Sequence, residues 1–232
     1  MKRFLLLISG TLLACSVFAQ ARFEPRTTWP YLYDNFMSGA VRTNNGVLVS
    51  EGTYNICVVD GTLHYIADDK IMQADMGAIF TAKLGEDIFV KVRGAMYQVL
   101  AESEHGSVLL GKEVNMEEFG KVDVGYGVSV SSSAQHSLSM TVLELDGNFN
   151  ILNESLSVVT GNKMRGKLLP LRETTYIYTK NRLVKASRSE IQSLPGIDRK
   201  ALSAFAKKEK IRWTNTDSLL KVLEFIDGSK SE

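Results

Sequence analysis

The feature that most constrains the fold is a row of short apolar runs between residues 53 and 112, each ended by turn residues. Asp60-Gly61 separates two runs rich in β-branched and aromatic residues, which predicts a hairpin whose type I′ turn places both residues at positive φ. Similar breaks recur about every 8–12 residues, which is typical of an antiparallel meander. We therefore expect a sheet that closes into a barrel or folds into a sandwich.

Two flanking segments are expected to join this sheet. Residues 36–49 form a first hairpin around Asn44-Asn45-Gly46, and residues 167–186 form another around Lys180-Asn181. The prediction is an α+β protein with an antiparallel β domain over 36–186, containing roughly 8–10 strands.

The C-terminal residues 187–232 are predicted to form a small helical subdomain. Ser187 opens a capping box with Glu190, and Asp198 and Thr216 can cap two later helices. The last helix carries apolar residues at i, i+3, i+4 and i+7, which predicts one buried face. That face consists of Leu219, Val222, Leu223 and Ile226.

The N-terminal residues 1–19 have the pattern of a secretory signal peptide. Lys2 and Arg3 precede an apolar stretch that is too short to span a bilayer, and Val17-Phe18-Ala19 fits a cleavage site. The alternative is a lipoprotein signal, in which Cys15 would carry a lipid anchor. No later stretch is apolar for ~20 residues, so we expect no transmembrane span. The mature protein is predicted to be periplasmic, outer-membrane-associated or secreted.

An irregular aromatic lead is expected over residues 20–35, just before the sheet. Trp29, Tyr31 and Tyr33 alternate, so an extended chain would present all three rings on one side. These three residues form a candidate interaction patch for a partner protein or a sugar. In the alternative, the rings fasten the lead to the core of the sheet.

A long insertion is predicted over residues 113–166, because long apolar runs are few there and glycine and serine are frequent. A loop of this length is functional or disordered, and we expect it to be mobile. Residues 20–160 carry 9 basic against 18 acidic side chains, whereas residues 161–186 carry 7 against 1. The basic segment could dock on the acidic β domain or be a solvated linker. No basic face with interleaved aromatic residues appears, so nucleic acid is not an expected partner.

No group of residues has the spacing of a catalytic or metal site. The three histidines are isolated, and Cys57 lies among apolar neighbours that indicate a small core residue. Four aspartates that a hydrolase could use fall at turns, where aspartate bonds its own backbone; they are Asp60, Asp68, Asp69 and Asp75. We predict no enzymatic activity, cofactor or metal.

Several segments resemble exported proteins of Bacteroides-like bacteria. The resemblance lies in Thr27–Phe36, Gly61–Ile66, Asp69–Asp75 and Ser218–Leu223, and in the signal ending Phe18-Ala19-Gln20. It covers most of the chain and implies a location in the cell envelope, but it brings no catalytic residue to this sequence.

Three functions remain open at this stage. The first is a non-enzymatic envelope protein that binds another envelope protein or supports an assembly. The second is a barrel-like module that binds a small apolar molecule or a glycan in a mouth lined by Tyr54, Tyr65 and Tyr97. The third is a hydrolase that uses the turn carboxylates.

Overall fold

The computed structural model describes residues 29–49, 52–115, 152–153, 155–156 and 170–229. Its main element is an antiparallel sheet that curls into a half-barrel. The strand order is β11-β10-β9-β8-β7-β6-β1-β3-β4-β5, with β2 beside β1. The strands are β1 Met37–Thr43, β2 Leu48–Val49, β3 Thr53–Ile56, β4 Leu63–Ala67, β5 Lys70–Gln73, β6 Ile79–Leu84, β7 Asp87–Val92, β8 Ala95–Ser103, β9 Gly106–Val114, β10 Leu171–Thr179 and β11 Arg182–Lys185.

The predicted meander is confirmed, and three of its tight turns have the dihedral angles of a type I′ turn. Asp68-Asp69, Arg93-Gly94 and Lys180-Asn181 each place both central residues at positive φ. These turns match the right-handed twist of the flanking strands, so each joins neighbouring antiparallel strands directly. Sequence therefore sets the register of these hairpins locally.

The Asp60-Gly61 turn differs from its prediction. Only Gly61 has positive φ, at 73°, and the connection between β3 and β4 runs from Cys57 to Thr62. The Asp60 carboxylate accepts hydrogen bonds from the backbone amide and the hydroxyl of Thr62, at 3.0 and 2.7 Å. This side-chain bonding stabilises a wider loop in place of a two-residue type I′ turn.

The wide loop closes one side of the half-barrel. The amide of Met96, in β8, donates to the Gly61 carbonyl at 2.8 Å, and the amide of Val114, in β9, donates to the Val58 carbonyl at 3.2 Å. A Cβ atom on Gly61 would lie 2.7 Å from the Cβ of Ala95. Only glycine combines this close approach with the positive φ, so Gly61 is required where the loop meets β8.

The inside of the curl is filled by side chains. One buried cluster draws residues from most of the strands and from the loop at its closed side. Its members are Leu32, Val41, Tyr54, Ile56, Val58, Leu63, Ile79, Ala82, Leu84, Phe89, Met96 and Val114. The interior is therefore a packed core, which weakens the hypothesis of a ligand held in an open barrel mouth.

Three helices follow the sheet, as predicted: α1 Arg188–Gln192, α2 Arg199–Lys208 and α3 Thr216–Gly228. Ser187 and Asp198 cap the first two. The third is capped by Asn215, whose side chain accepts from the Ser218 amide, so the prediction of Thr216 as the cap is wrong by one residue.

The predicted apolar face of α3 is confirmed: Leu219, Val222, Leu223 and Ile226 are all buried. They pack against Val108 of β9 and Ile177 of β10, so the helices share their core with the sheet. Burial of these four side chains contributes about 6–10 kcal/mol relative to full exposure.

The end of α3 is fastened to two hairpins through one carboxylate. Asp227 contacts Nδ1 of His105 at 3.1 Å and Nζ of Lys180 at 2.5 Å. These residues lie in the β8–β9 and β10–β11 turns. These contacts lower the pKa of Asp227. The hydrogen bond from Lys180 has the largest effect, and the one from His105 has the second largest.

Some predictions fall outside the described residues. The signal peptide over 1–19 with Cys15, and nearly all of the insertion over 113–166, belong to this group. At its start, however, the insertion was placed too early, because β9 continues to Val114 and pairs there with Leu171 of β10. Among the helices of the described ranges, none is long and apolar enough to cross a membrane.

Candidate functional site

The aromatic lead lies against the sheet, with two of its three predicted patch residues buried. Tyr31 is 0% exposed and Trp29 is 3% exposed. Their ring centroids are 5.1 Å apart, and Tyr31 also packs edge-on against Phe36. Trp29 and Tyr31 therefore have the placement that the fastening alternative described.

Tyr33 lies in a different environment, so the three rings do not share one exposed side. The chain bends after Tyr31, and the Tyr33 ring packs against Phe89 in the main core. Its hydroxyl donates to the Asp87 carboxylate. Alternate side chains face the same side only where the backbone is extended. The bend after Tyr31 interrupts the extended backbone, so Tyr33 faces another direction. Binding of a partner by this segment stays a prediction.

A buried chain of hydrogen bonds runs from the lead to the β3–β4 loop. The Thr62 hydroxyl donates its single proton to Asp60, so its oxygen accepts from Nε2–H of His64 at 3.0 Å. Burial lowers the pKa of His64 and favours the neutral ring, in which Nδ1 is unprotonated and accepts from the Tyr31 hydroxyl at 2.7 Å. The network thus assigns the Nε2–H tautomer of a neutral imidazole.

Burial favours the uncharged forms of His64 and Tyr31. Desolvation lowers the pKa of His64, against a smaller opposing effect of Asp60, and raises that of Tyr31 well above its usual range. Burial also raises the pKa of the neighbouring Cys57 thiol to about 12, as expected for a small core residue and not a reactive thiolate. His64 and Tyr31 are buried, so the network is enclosed and stabilises the lead.

Two of the four turn aspartates, Asp60 and Asp75, accept local hydrogen bonds, as their positions predict. Asp75 accepts from the Gly77 amide at 2.8 Å, in the same way as Asp60 accepts from the amide of Thr62. No group of three or more His, Cys, Asp or Glu side chains within the described ranges could hold a metal ion. The carboxylate of Asp69 bonds outside its own turn, because it accepts from the Ser155 hydroxyl at 2.7 Å.

Strand β2 and the residue before it form an apolar edge of the described sheet that sequence reasoning missed. Val47, Leu48 and Val49 follow one another and are 54%, 54% and 44% exposed. The amide of Thr43 donates to the Val47 carbonyl, and Arg42 lies opposite Leu48. Hydrogen-bonded and non-hydrogen-bonded pairs alternate in antiparallel sheets, so the peptide groups of Leu48 point away from β1.

Other edges of the sheet are covered or charged. The amide of Asn153 donates to Ile71 of β5 at 2.8 Å, and that of Leu156 donates to Asp69 at 2.9 Å. Edge strand β11 begins and ends with basic residues and contacts α1, which discourages pairing. In the described part of the chain, only β1 pairs with β2. This edge is the candidate protein-binding site.

A groove beside the closing loop is a second candidate site. Its cavity volume is about 140 Å³, and it lies between the loop Val58–Gly61 and strands β8–β10. Tyr97 and Tyr176 line it, together with Lys112 and Glu113. Of the three tyrosines predicted to line a barrel mouth, only Tyr97 is here, since Tyr54 and Tyr65 belong to the main cluster.

Comparison with known proteins adds no relative to this description. No protein-family model matches the chain, and no curated protein or solved structure is significantly similar to it. The resemblance to exported Bacteroides-type proteins stays a prediction. The candidate sites therefore rest on their own geometry.

Proposed function

We propose that this chain is an exported, non-enzymatic envelope protein that binds another envelope protein through the edge of β2. The observation that carries the proposal is the row of three exposed apolar residues, Val47–Val49, on a strand whose outer side pairs with no other described strand. The signal-like sequence over residues 1–19 supports export.

The chemistry of this edge favours an extended partner segment. The outward peptide groups of Leu48 can exchange hydrogen bonds with an added strand, which is the usual basis of β-strand addition. Side chains alternate across the strand, so Val47 and Val49 face one side and Leu48 faces the other. The expected partner is thus a segment with apolar side chains on both faces.

The proposal is tested by replacing one edge residue and isolating the protein after chemical cross-linking in the cell envelope. Leu48→Asp places a charge in the expected interface, while its exposure in the free protein keeps the stability change within about 0.5 kcal/mol. Ile88→Asp is the matched control, because Ile88 is 49% exposed on β7, which pairs on both sides.

The expected result is one reproducible partner with the wild type and with Ile88→Asp, and its loss with Leu48→Asp. The cross-linked peptides should contain residues of the β1–β2 hairpin. Equal recovery of the partner with both variants contradicts the proposal. A second copy of this chain as the cross-linked protein contradicts the assignment of a different envelope protein as partner.

A ligand-binding function is the second candidate, and the groove beside Tyr97 favours it. The groove is open while the inside of the curl is filled, so the ligand would bind outside the barrel. A thermal-shift screen of small molecules tests this function. A compound that raises the melting temperature of the wild type but not of Tyr97→Ala supports it, and the absence of such a compound contradicts it.

A further inference from the structure

We propose that the groove between the loop Val58–Gly61 and strands β8–β10 binds a single neutral sugar ring. The inference rests on the second candidate function and names its ligand class. It is carried by the size of the cavity, by two tyrosine rings that converge in it, and by the Glu113–Arg172 ion pair at its rim.

The cavity has room for about one ring. Its volume of about 140 Å³ is roughly ten times the ~10–15 Å³ that a cavity needs to hold one water molecule. It is also well below the roughly 300–1,000 Å³ of pockets that enclose drug-sized ligands. One sugar ring at the end of a glycan has a size that suits this groove.

The two rings meet above a glycine. Tyr97 of β8 and Tyr176 of β10 have ring centroids 5.5 Å apart at an interplanar angle of 82°. Gly111 lies between them on β9, where an added Cβ would be 3.0 Å from the Tyr176 ring and 3.1 Å from the Tyr97 ring. The absence of a side chain at 111 lets both rings come together, and each is half-buried. Exposed ring surface in a groove suits the apolar C–H face of a sugar.

The polar groups at the rim suit a neutral polyhydroxyl ligand. Glu113 is held by Arg172, whose Nε and Nη2 atoms both donate to Oε1 at 3.1 and 2.7 Å. Asp60 is held by the Thr62 hydroxyl and amide. The side chain of Lys112 lies on the other face of β9 and pairs with Glu173 at 3.9 Å, so the cation at this rim is Arg172. Carboxylates beside a cation disfavour a strongly charged ligand of either sign, whereas hydroxyl groups can both donate to the carboxylates and accept from the Arg172 guanidinium.

Saturation-transfer NMR on the purified full-length protein tests the inference. The probes are methyl α-glucoside, methyl β-galactoside and N-acetylglucosamine, each measured separately. Tyr176→Ala removes one wall of the groove, and Glu113→Gln removes a charge without changing shape. Tyr178→Ala is the matched control, because Tyr178 lies two residues along the same strand, on the same face, and bonds Asn181 outside the groove.

The expected result is saturation of the ring protons of at least one sugar by the wild type and by Tyr178→Ala. Binding should weaken about five- to tenfold in Tyr176→Ala and also weaken in Glu113→Gln, whose melting temperature stays unchanged. No saturation with any of the three sugars, or an equal loss in Tyr178→Ala, overturns the inference. If no sugar binds but another compound raises the melting temperature of the wild type and not of Tyr97→Ala, the sugar inference is overturned. The ligand-binding function is then still supported.

Discussion

The hydroxyl of Tyr31 donates to Nδ1 of His64 over 2.7 Å, although the two residues are 33 positions apart. This bond joins the aromatic lead to strand β4, and both side chains are buried. Hydrogen bonds from His64 to Thr62 and from Thr62 to Asp60 extend this connection into the loop that closes the half-barrel. The lead is therefore part of the folded core through a directed polar network as well as through its rings.

Loss of the Tyr31 hydroxyl is expected to destabilise the protein. Tyr31→Phe keeps the ring but leaves Nδ1 of His64 buried without a donor, which costs about 1–3 kcal/mol in unfolding free energy. Urea unfolding measures the change. The control is Tyr65→Phe, which removes a hydroxyl group from a half-buried ring in the same sheet. It should shift the unfolding free energy by less than about 0.5 kcal/mol. Equal effects of both variants would contradict the role of the hydroxyl.

Stability should fall as the medium becomes mildly acidic. The folded protein lowers the pKa of His64, so the unfolded chain binds more protons just below pH ~6.5. The contribution of the neutral ring is fully present above that pH and is lost progressively as pH falls through the folded pKa. Melting curves between pH 8 and 5 check this, with His64→Gln flattening the dependence and His105→Gln retaining it. A wild-type curve that rises towards pH 5 would contradict the assigned neutral state.

Gly61 and Gly46 separate the effect of backbone conformation from that of close packing. Both have positive φ, but a Cβ on Gly46 meets nothing within 4 Å, whereas one on Gly61 lies 2.7 Å from Ala95. Gly46→Ala should therefore cost about 1–2 kcal/mol from backbone strain alone. Gly61→Ala should cost about 1–3 kcal/mol more, because the added Cβ also pushes the loop away from β8. Thermal unfolding of the two variants provides the measurement, and equal losses would show that the loop does not pack as described.

The apolar face of α3 is expected to hold the helices on the sheet. Leu223→Ala creates a cavity among fully buried side chains and should cost about 2–5 kcal/mol. Lys221→Ala, on the exposed side of the same helix, removes only a surface contact with Glu209 and should cost less than about 1 kcal/mol. Denaturant unfolding monitored by circular dichroism compares them. A loss in Leu223→Ala as small as that in Lys221→Ala would mean that α3 does not pack through this face.

Local patterns predicted the elements whose form depends on nearby residues. The spacing from Leu219 to Ile226 identified the buried face of α3, and Lys180-Asn181 identified a tight turn, because period and turn chemistry are properties of adjacent residues. Asp60-Gly61 has the same local signature as such a turn. Its wider loop depends on bonds to Met96 and Val114, which lie far along the chain.

The candidate sites could not be predicted for the same reason. Val47–Val49 resembles any strand of a hairpin, and its exposure arises because β4 pairs with β3 and leaves the neighbouring β2 uncovered. The groove joins Tyr97 of β8 and Tyr176 of β10, which lie on either side of β9 in the folded sheet and 79 residues apart in the sequence. For Trp29, Tyr31 and Tyr33 the sequence offered both an interaction patch and rings fastened to the core, since alternation alone does not reveal a bend or a buried partner such as His64.

The measurement that tests the central claim most directly is site-specific photo-cross-linking in living cells. A photoreactive amino acid is placed at residue 48, on the uncovered edge, and in a second strain at residue 88, in the middle of the sheet with similar exposure. Binding through the β2 edge predicts a discrete cross-linked envelope protein from position 48 and none from position 88. The same products from both positions, or no product from position 48, would contradict it.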